Sequence, residues 1–509
     1  MKNIAYITLL GSVASLTTLS SCSAGDKKET AKKPNVIFIY ADDMGRGMLS
    51  HYGQSYLSTP NIDQLFEEGT YFSNAHGCQY SAPARASLLT GYYDVRPDKW
   101  KISGGGKFIA EDIEAVIDSV EAEINREDVL YSQEDLLLPQ VFKKAGYTTG
   151  QVGKLEWGFT ATRQQMKAHG WDYYYGYLDH VRCHGFYPPF LFENGEIVYI
   201  EGNTFLNCAK AYEHENPENY AKRWNMEGKA QYSQDLFIEK ILSFIEDNAD
   251  GPFFLYHPTQ LPHGPIAIPE VHPELKDVEG LTELEKEYGS MVKMLDDNVG
   301  QIVAKLKELG IYDNTIIVFS SDNGHETYYM SETRCLKFPE RDMELRKFDS
   351  WDYAYTSERT GDKFNGNNSQ MGKKWSNFEG GIRVPLVFSW KGHIREGYES
   401  AELSSNCDLL STFADMLDVE LAVEKDGVSL LPILMDKSDT LASERYVYAV
   451  SPIGATALRS DGWKLRQNKD LGEYRLFYLP EDYREENPLN DKHPEVLEEM
   501  KKALIENEN

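Results

Sequence analysis

The stretch Val36-Ile37-Phe38-Ile39-Tyr40, entered from Pro34-Asn35 and left through Ala41-Asp42-Asp43, is apolar almost throughout and bounded by turn and polar residues. An unbroken run of this length, without polar alternation, predicts a strand covered on both faces. Pro252-Phe253-Phe254-Leu255-Tyr256, Thr315-Ile316-Ile317-Val318-Phe319 and Pro385-Leu386-Val387-Phe388 repeat the pattern. Segments of helical period lie between them, the clearest carrying Tyr288, Met291, Leu295, Val299, Ile302, Leu306 and Leu309 before Gly310. Strands alternating with helices predict an α/β fold, one large and mainly parallel sheet flanked by helices on both faces.

Outward from that frame the pattern changes. Ile109, Ile113, Val116, Ile117, Val120 and Ile124 recur at helical spacing after Gly104-Gly105-Gly106, which reads as an inserted amphipathic helix. Beyond residue 400 come a helical segment at 408–417, short aromatic runs (Trp463-Lys464-Leu465 and Arg475-Leu476-Phe477-Tyr478) and a last helix near 495–506. These predict a smaller C-terminal α+β subdomain, so the expected partition is 34–400 and 401–509.

At the N-terminus, Lys2, an apolar stretch and Leu19-Ser20-Ser21-Cys22 follow in the order of an export signal spanning 1–21. Cys22 resembles the lipidated cysteine of a bacterial lipobox, with 22–33 as a polar tether; an ordinary cleaved signal is the alternative. The chain is expected to be exported to the periplasm or cell surface, meeting the membrane only through a lipid anchor. Cys78, Cys183, Cys208, Cys335 and Cys407 are odd in number and scattered, which suits neither a disulfide framework nor a cysteine metal site. The formal charge of −29 argues against a nucleic-acid partner. It also repels a long polyanion, so an anionic substrate must be short, or a chain end, held by a local cationic pocket.

Ligands of α/β sheets bind at the carboxyl ends of strands. Asp42-Asp43 falls at one predicted end and Asp322-Asn323 at another. Carboxylate and amide oxygens are hard donors that suit Ca²⁺, or Mg²⁺, rather than zinc. Taken singly, each cluster also reads as a solvated strand end or an Asp-Asn-Gly turn. The segment Ser81-Ala82-Pro83-Ala84-Arg85-Ala86-Ser87-Leu88-Leu89-Thr90-Gly91 predicts a helix that starts near Ser81 and stops at Gly91. A helix start favours an anion, but a plain helix has no need of Arg85 or the Leu-Leu-Thr-Gly end.

In that segment the chain resembles the formylglycine sulfatases of the alkaline phosphatase-like superfamily, whose signature is Cys or Ser, any residue, Pro, any residue, Arg, then Leu-Thr-Gly. Asp42-Asp43, Gly153-Lys154, Pro262-His263-Gly264-Pro265, Ser321-Asp322-Asn323-Gly324 and Lys374 before Glu379-Gly380-Gly381-Ile382-Arg383 match in the family's order. The resemblance implies a sulfuric ester hydrolase acting on sulfated mono- or oligosaccharides. It assigns Ser81 as the residue oxidised to formylglycine by an anaerobic-type sulfatase-maturating enzyme. Asp42, Asp43, Ser81, Asp322 and Asn323 would hold the metal, Arg85 would orient the modified residue, Lys154 and Lys374 would bind sulfate, and His263 would protonate the departing sugar oxygen.

The family's Gly-Lys-x-His is here Gly153-Lys154-Leu155-Glu156. Glu156 either serves as the base that releases sulfate or points away and leaves that task to another group. Tyr175-Gly176-Tyr177-Leu178-Asp179-His180 and Cys183-His184-Gly185-Phe186-Tyr187-Pro188 resemble a segment of bacterial glycan sulfatases acting on galactose or N-acetylgalactosamine. That places His184 against an axial hydroxyl, with Arg182 and His325 as further substrate-binding candidates. The aromatics Trp171, Tyr173, Tyr174, Tyr175 and Tyr177 suit sugar stacking or an ordinary core. Two other functions share these features: a phosphoester or phosphonate hydrolase of the same superfamily, and a non-catalytic glycan-binding lipoprotein.

Overall fold

The computed structural model describes residues 32–96, 99, 112–124, 135–156, 162–179, 182–209, 222–329, 351, 353–441 and 444–508. Met1–Lys33 and Pro34–Asn509 are separate units, and every element below belongs to the second. The expected signal, Cys22, Ile109 and Cys335 lie outside the described residues.

The strands are β1 (Asn35–Ala41), β2 (Gly69–Phe72), β3 (Ala75–His76), β4 (Thr148–Gly153), β5 (Tyr173–Gly176), β6 (Phe190–Glu193), β7 (Glu196–Tyr199) and β8 (Phe253–Pro258). They continue as β9 (Thr315–Ser321), β10 (Leu386–Ser389), β11 (Tyr398–Ser400), β12 (Ser404–Ser405), β13 (Tyr446–Ser451), β14 (Gly454–Arg459), β15 (Trp463–Asn468) and β16 (Glu473–Tyr478). Ten form one sheet in the order β11-β2-β10-β9-β1-β8-β4-β5-β6-β7. The four apolar runs lie side by side in its middle as β10, β9, β1 and β8.

Why those runs lack alternation is visible in their surroundings. Val36, Phe38 and Tyr40 enter one core cluster with Leu88, Leu89, Phe142 and Phe413, whereas Ile37 and Ile39 enter another with Ile241, Met291, Leu295 and Val299. Both faces are covered by helices, so positions 36–41 of β1 are apolar or aromatic, and each large apolar side chain contributes about 1.5–3 kcal/mol. The helix Glu283–Glu308 is started by Thr282, whose hydroxyl accepts the Glu285 N–H at 3.2 Å while Glu285 accepts the Thr282 N–H at 2.7 Å. The inserted helix is Ile113–Ile124, with Val116 and Ile117 buried. Among the described residues no helix is long and apolar enough to cross a membrane.

The centre of the sheet is parallel: β1 pairs so with β8 and β9, and β4 with β8 and β5. Its flanks supply the antiparallel pairs of a mainly parallel sheet. β10 is antiparallel to β9 and β2, and β5, β6 and β7 alternate in direction, so the whole sheet is mixed. Hydrophobic runs report burial, not direction. The two-residue link Asn194-Gly195 between β6 and β7 permits only an antiparallel pair.

Strands β13 to β16 form a separate antiparallel sheet on which the helix Pro494–Glu508 lays Met500 and Leu504. A buried ion cluster joins this sheet to the segment after Lys374. Lys464 on β15 donates to Glu379 at 2.8 Å and lies 3.1 Å from Glu485. The Glu379 N–H donates to Glu485 at 2.6 Å, and His76 and Arg383 reach the second Glu379 oxygen, each at 3.1 Å.

Candidate active site

Four neighbouring strands deliver the motif residues at their carboxyl ends. Ala41 pairs with Ser321, so Asp42 and Asp322 leave β1 and β9 at the same level. β8, on the other side of β1, runs on to His263, and β4 beyond it ends at Lys154. The sheet order therefore sets the sequence of groups across the site. Asp43 sits in a left-handed conformation, φ 63°, with its N–H on Asp322 Oδ1 at 3.0 Å. Strain of that kind is tolerated where surrounding contacts over-determine it.

The helix Ser81–Thr90 brings the last component. Ser81 is its first residue and Gly91, at φ 75°, ends it. Ser81 Oγ donates to Asp42 Oδ1 at 2.5 Å, and Lys154 Nζ donates to Asp42 Oδ2. One turn on, Arg85 places NH2 3.7 Å from Asp42 and 3.6 Å from Asp322. Lys374 Nζ donates to Asp43 Oδ2 at 2.6 Å and lies 3.3 Å from His263 Nε2. His263 Nε2 is 3.2 Å from Asp43 Oδ2, and its ring stacks on His184 at 4.2 Å between centroids and 8° between planes. Ser81, Arg85, Lys154, His263, Lys374, Asp42, Asp43, Asp322, Asn323 and His184 thus converge, from positions up to 332 apart in sequence.

Electrostatically, the three carboxylates Asp42, Asp43 and Asp322 face the three cations Arg85, Lys154 and Lys374. Burial raises the Asp42 carboxyl, but Lys154 and then His263 and Arg85 outweigh it and hold the group well below the usual range. Asp322 goes the other way: burial, and then the charge of Asp42, push it well above that range. Burial lowers the His263 imidazole to about 4, against the pull of Asp43. The donor set fits a hard divalent cation. Oxygens of Asp42 and Asp43 and a nitrogen of His263 lie within 4.8 Å of one another, and Asp322 Oδ2 and Asn323 Oδ1 are buried without a hydrogen-bond partner.

Three expected roles need correction or refinement. Arg182 is tied to its own segment: its Nε donates to Asp179 Oδ2 at 2.7 Å, NH2 reaches the same oxygen, and its guanidinium lies over Phe190. His325 is fully buried, with Nδ1 accepting the Gly45 N–H at 3.4 Å and Nε2 against the Tyr329 hydroxyl at 2.8 Å, so it braces the loop behind the site. Glu156 is occupied on both oxygens, by His169 Nδ1 at 2.6 Å and Trp171 Nε1 at 2.8 Å. Trp171, Tyr174, Tyr175 and Tyr177 are core residues, while Tyr173 is half-buried with its hydroxyl on Glu193.

Sequence reasoning missed Tyr256 and Tyr328. Tyr256, on the face of β8 shared with Phe254, sets its hydroxyl 3.5 Å from Arg85 NH1. Tyr328 donates its hydroxyl to Asp43 Oδ2. Tyr256 was hidden in an apolar run, and no motif spacing marks Tyr328.

A model of the sulfatase family matches residues 34–419, and one of the N-sulphoglucosamine sulphohydrolase C-terminal region matches 366–509. The chain is 29% identical to an N-acetylgalactosamine-6-O-sulfatase of Bacteroides thetaiotaomicron over 99% of both chains. It is 28% identical to human N-acetylgalactosamine-6-sulfatase over 79% of this chain and 66% of that one. A solved glycosaminoglycan 6S-sulfatase structure from B. thetaiotaomicron superposes with a TM-score of 0.69 at 24% identity, covering 94% of this chain and all of that one. The phosphonate monoester hydrolase of Agrobacterium radiobacter shares the fold less closely, at a TM-score of 0.56 and 17% identity. With the signature helix, the aspartate pairs and the cations assembled at one end of a matching sheet, the chain belongs to the sulfatase family, the sulfuric ester hydrolases.

Proposed function

We propose that the protein removes sulfate from galactose- or N-acetylgalactosamine-type sugars, using residue 81 as formylglycine and a calcium ion held by Asp42, Asp43, Asp322 and Asn323. One observation carries the reading: Ser81 Oγ is fixed on Asp42 inside a cluster whose three acids are matched by three bases. A divalent cation added there turns a balanced cleft positive within a chain of net charge −29, which captures a small sulfate ester and disfavours a long polyanion. The relatives' names favour N-acetylgalactosamine and the 6-position.

When bound, calcium neutralises sulfate oxygens and eases ionisation of the attacking hydroxyl. Formylglycine, as its hydrate, would supply one hydroxyl for attack on sulfur, its proton passing to Asp42 as the sugar leaves, and a second that would give its proton to water as the C–O bond breaks, releasing sulfate and restoring the aldehyde. Asp42 orients residue 81 by accepting its hydroxyl, and Arg85 fixes Asp42 from behind. Lys154 and Lys374 exchange their carboxylate partners for sulfate oxygens. His263 takes up a proton at Nε2 when the ester binds and gives it to the sugar oxygen as the S–O bond breaks, while Nδ1 keeps its own on the Gly264 carbonyl. His184, stacked on His263, lies where the sugar's hydroxyls are read.

The test is turnover by matured protein. N-acetylgalactosamine-6-sulfate and galactose-6-sulfate are expected to lose sulfate at least about tenfold faster than N-acetylglucosamine-6-sulfate. 4-Nitrophenyl sulfate is expected to be cleaved far faster than the phosphate, and the reverse order would replace this reading with a phosphoesterase. The Ser81 peptide should weigh about 2 Da less than its encoded mass.

Because Glu156 is spent on His169 and Trp171, Glu156→Gln is expected to keep turnover within about threefold and to accumulate no sulfated enzyme. Its cost falls on stability, about 1–3 kcal/mol by urea unfolding, since a charged acceptor of buried donors is lost. A covalent sulfate adduct in the intact mass during turnover would instead make Glu156 the base.

A further inference from the structure

We infer that Tyr328 is a positioning residue for proton delivery to the leaving group, acting through the imidazole of His263; the inference rests on the sulfatase reading above. Tyr328 is half-buried in the loop that follows β9 and carries Asp322 and Asn323. Its hydroxyl lies 3.1 Å from His263 Nε2, with the rings 5.1 Å apart.

Every other side of that imidazole is already fixed. His184 covers one face, and Nδ1 is turned to the Gly264 carbonyl, which makes Nδ1–H the donor there and leaves Nε2 to face the site. Lys374 Nζ and Asp43 Oδ2 are the remaining groups near Nε2, at 3.3 and 3.2 Å. Both have other duties, one toward sulfate and one toward the cation. Tyr328, whose hydroxyl also donates to Asp43 Oδ2, is the third neighbour of Nε2 and takes neither of those duties.

The position of the Tyr328 hydroxyl is set independently of any ligand. The ring lies on the backbone of Gly264, where an added Cβ would come within 2.2 Å of Cδ1. The loop behind it is pinned at His325, whose carbonyl accepts the Lys374 N–H at 3.0 Å, and at Glu326, 2.9 Å from Lys373 Nζ. Phenylalanine would keep that ring packing and lose only the hydroxyl, with its contacts to His263 and to Asp43, and calcium affinity tells the two apart.

A sugar alkoxide leaves poorly and needs its proton during S–O cleavage, whereas 4-nitrophenolate leaves without help. Misaligning His263 must therefore slow the first substrate and spare the second. The experiment compares matured, calcium-loaded parent and Tyr328→Phe on N-acetylgalactosamine-6-sulfate and 4-nitrophenyl sulfate, with calcium affinity measured by calorimetry. Expected is a fall in kcat of about 20-fold for the sugar sulfate and less than about threefold for the aryl sulfate, with calcium affinity within about threefold of the parent. Equal losses on both substrates, no loss on either, or a parallel loss that tracks weakened calcium binding overturns the inference. A parent enzyme that cleaves neither substrate rejects the sulfatase reading itself, which keeps the two failures apart.

Discussion

Ser81→Ala, matured and calcium-loaded beside the parent, is expected to release no measurable sulfate, a loss of at least about 10⁴-fold. The alanine removes the atom that becomes the attacking oxygen and also the group that the maturating enzyme oxidises. Lys154 and Arg85, which stay on Asp42 in the variant, offer no hydroxyl in its place. The fold should barely notice. Ser81 is the first residue of its helix and makes no capping hydrogen bond there, so only its bond to Asp42 is lost, about 1 kcal/mol in urea unfolding. An inactive variant of parental stability locates the nucleophile at residue 81; undiminished sulfate release places it elsewhere.

Asp42→Ala is the second large effect, and it falls on folding as well as on rate. One carboxylate here answers Ser81, Lys154 and Arg85, all buried, so its removal strands Lys154 without its counter-ion and leaves Arg85 with Asp322 alone. Breaking a buried pair from one side costs about 3–5 kcal/mol. Metal-free Asp42→Ala should unfold at clearly lower urea than the parent, and the matured form should be inactive. Asp322→Asn should do the opposite to the metal-free protein. Its carboxyl is pushed up by burial and by Asp42, so removing it relieves repulsion and raises the urea midpoint in chelator. The same variant should gain less from calcium, where the parent gains about 2.7 kcal/mol at a hundred times the dissociation constant. Equal gains in both proteins would take Asp322 out of the metal site.

Much of this was legible in the sequence, for reasons that differ by element. β1, β8 and β9 declared themselves because both of their faces are buried, which leaves an uninterrupted apolar run. The four-residue strands β6 and β7 did not, since a hairpin so short carries no period and its pairing is settled by the Asn194-Gly195 turn. In the site, ordered motifs supplied the acids, Ser81 and the cations. They could not supply Tyr328, whose place depends on a ring resting on Gly264, more than sixty residues earlier in the chain. Arg182 and His325 misled for the same reason in reverse. Each looked available beside a motif, yet Arg182 Nε is bound to Asp179 three residues back and His325 Nε2 meets Tyr329 four residues on.

The Glu379–Lys464–Glu485 cluster bears on how the gene can be divided. Shortening the coding region to end before residue 446 would retain every signature residue and the whole ten-stranded sheet. It would also delete the ammonium and the carboxylate that anchor Glu379, leaving His76 and Arg383 to hold a stretch that begins five residues after Lys374. The catalytic half is thus not a module that can be borrowed alone, and a fusion or library built on this protein should carry its tail intact.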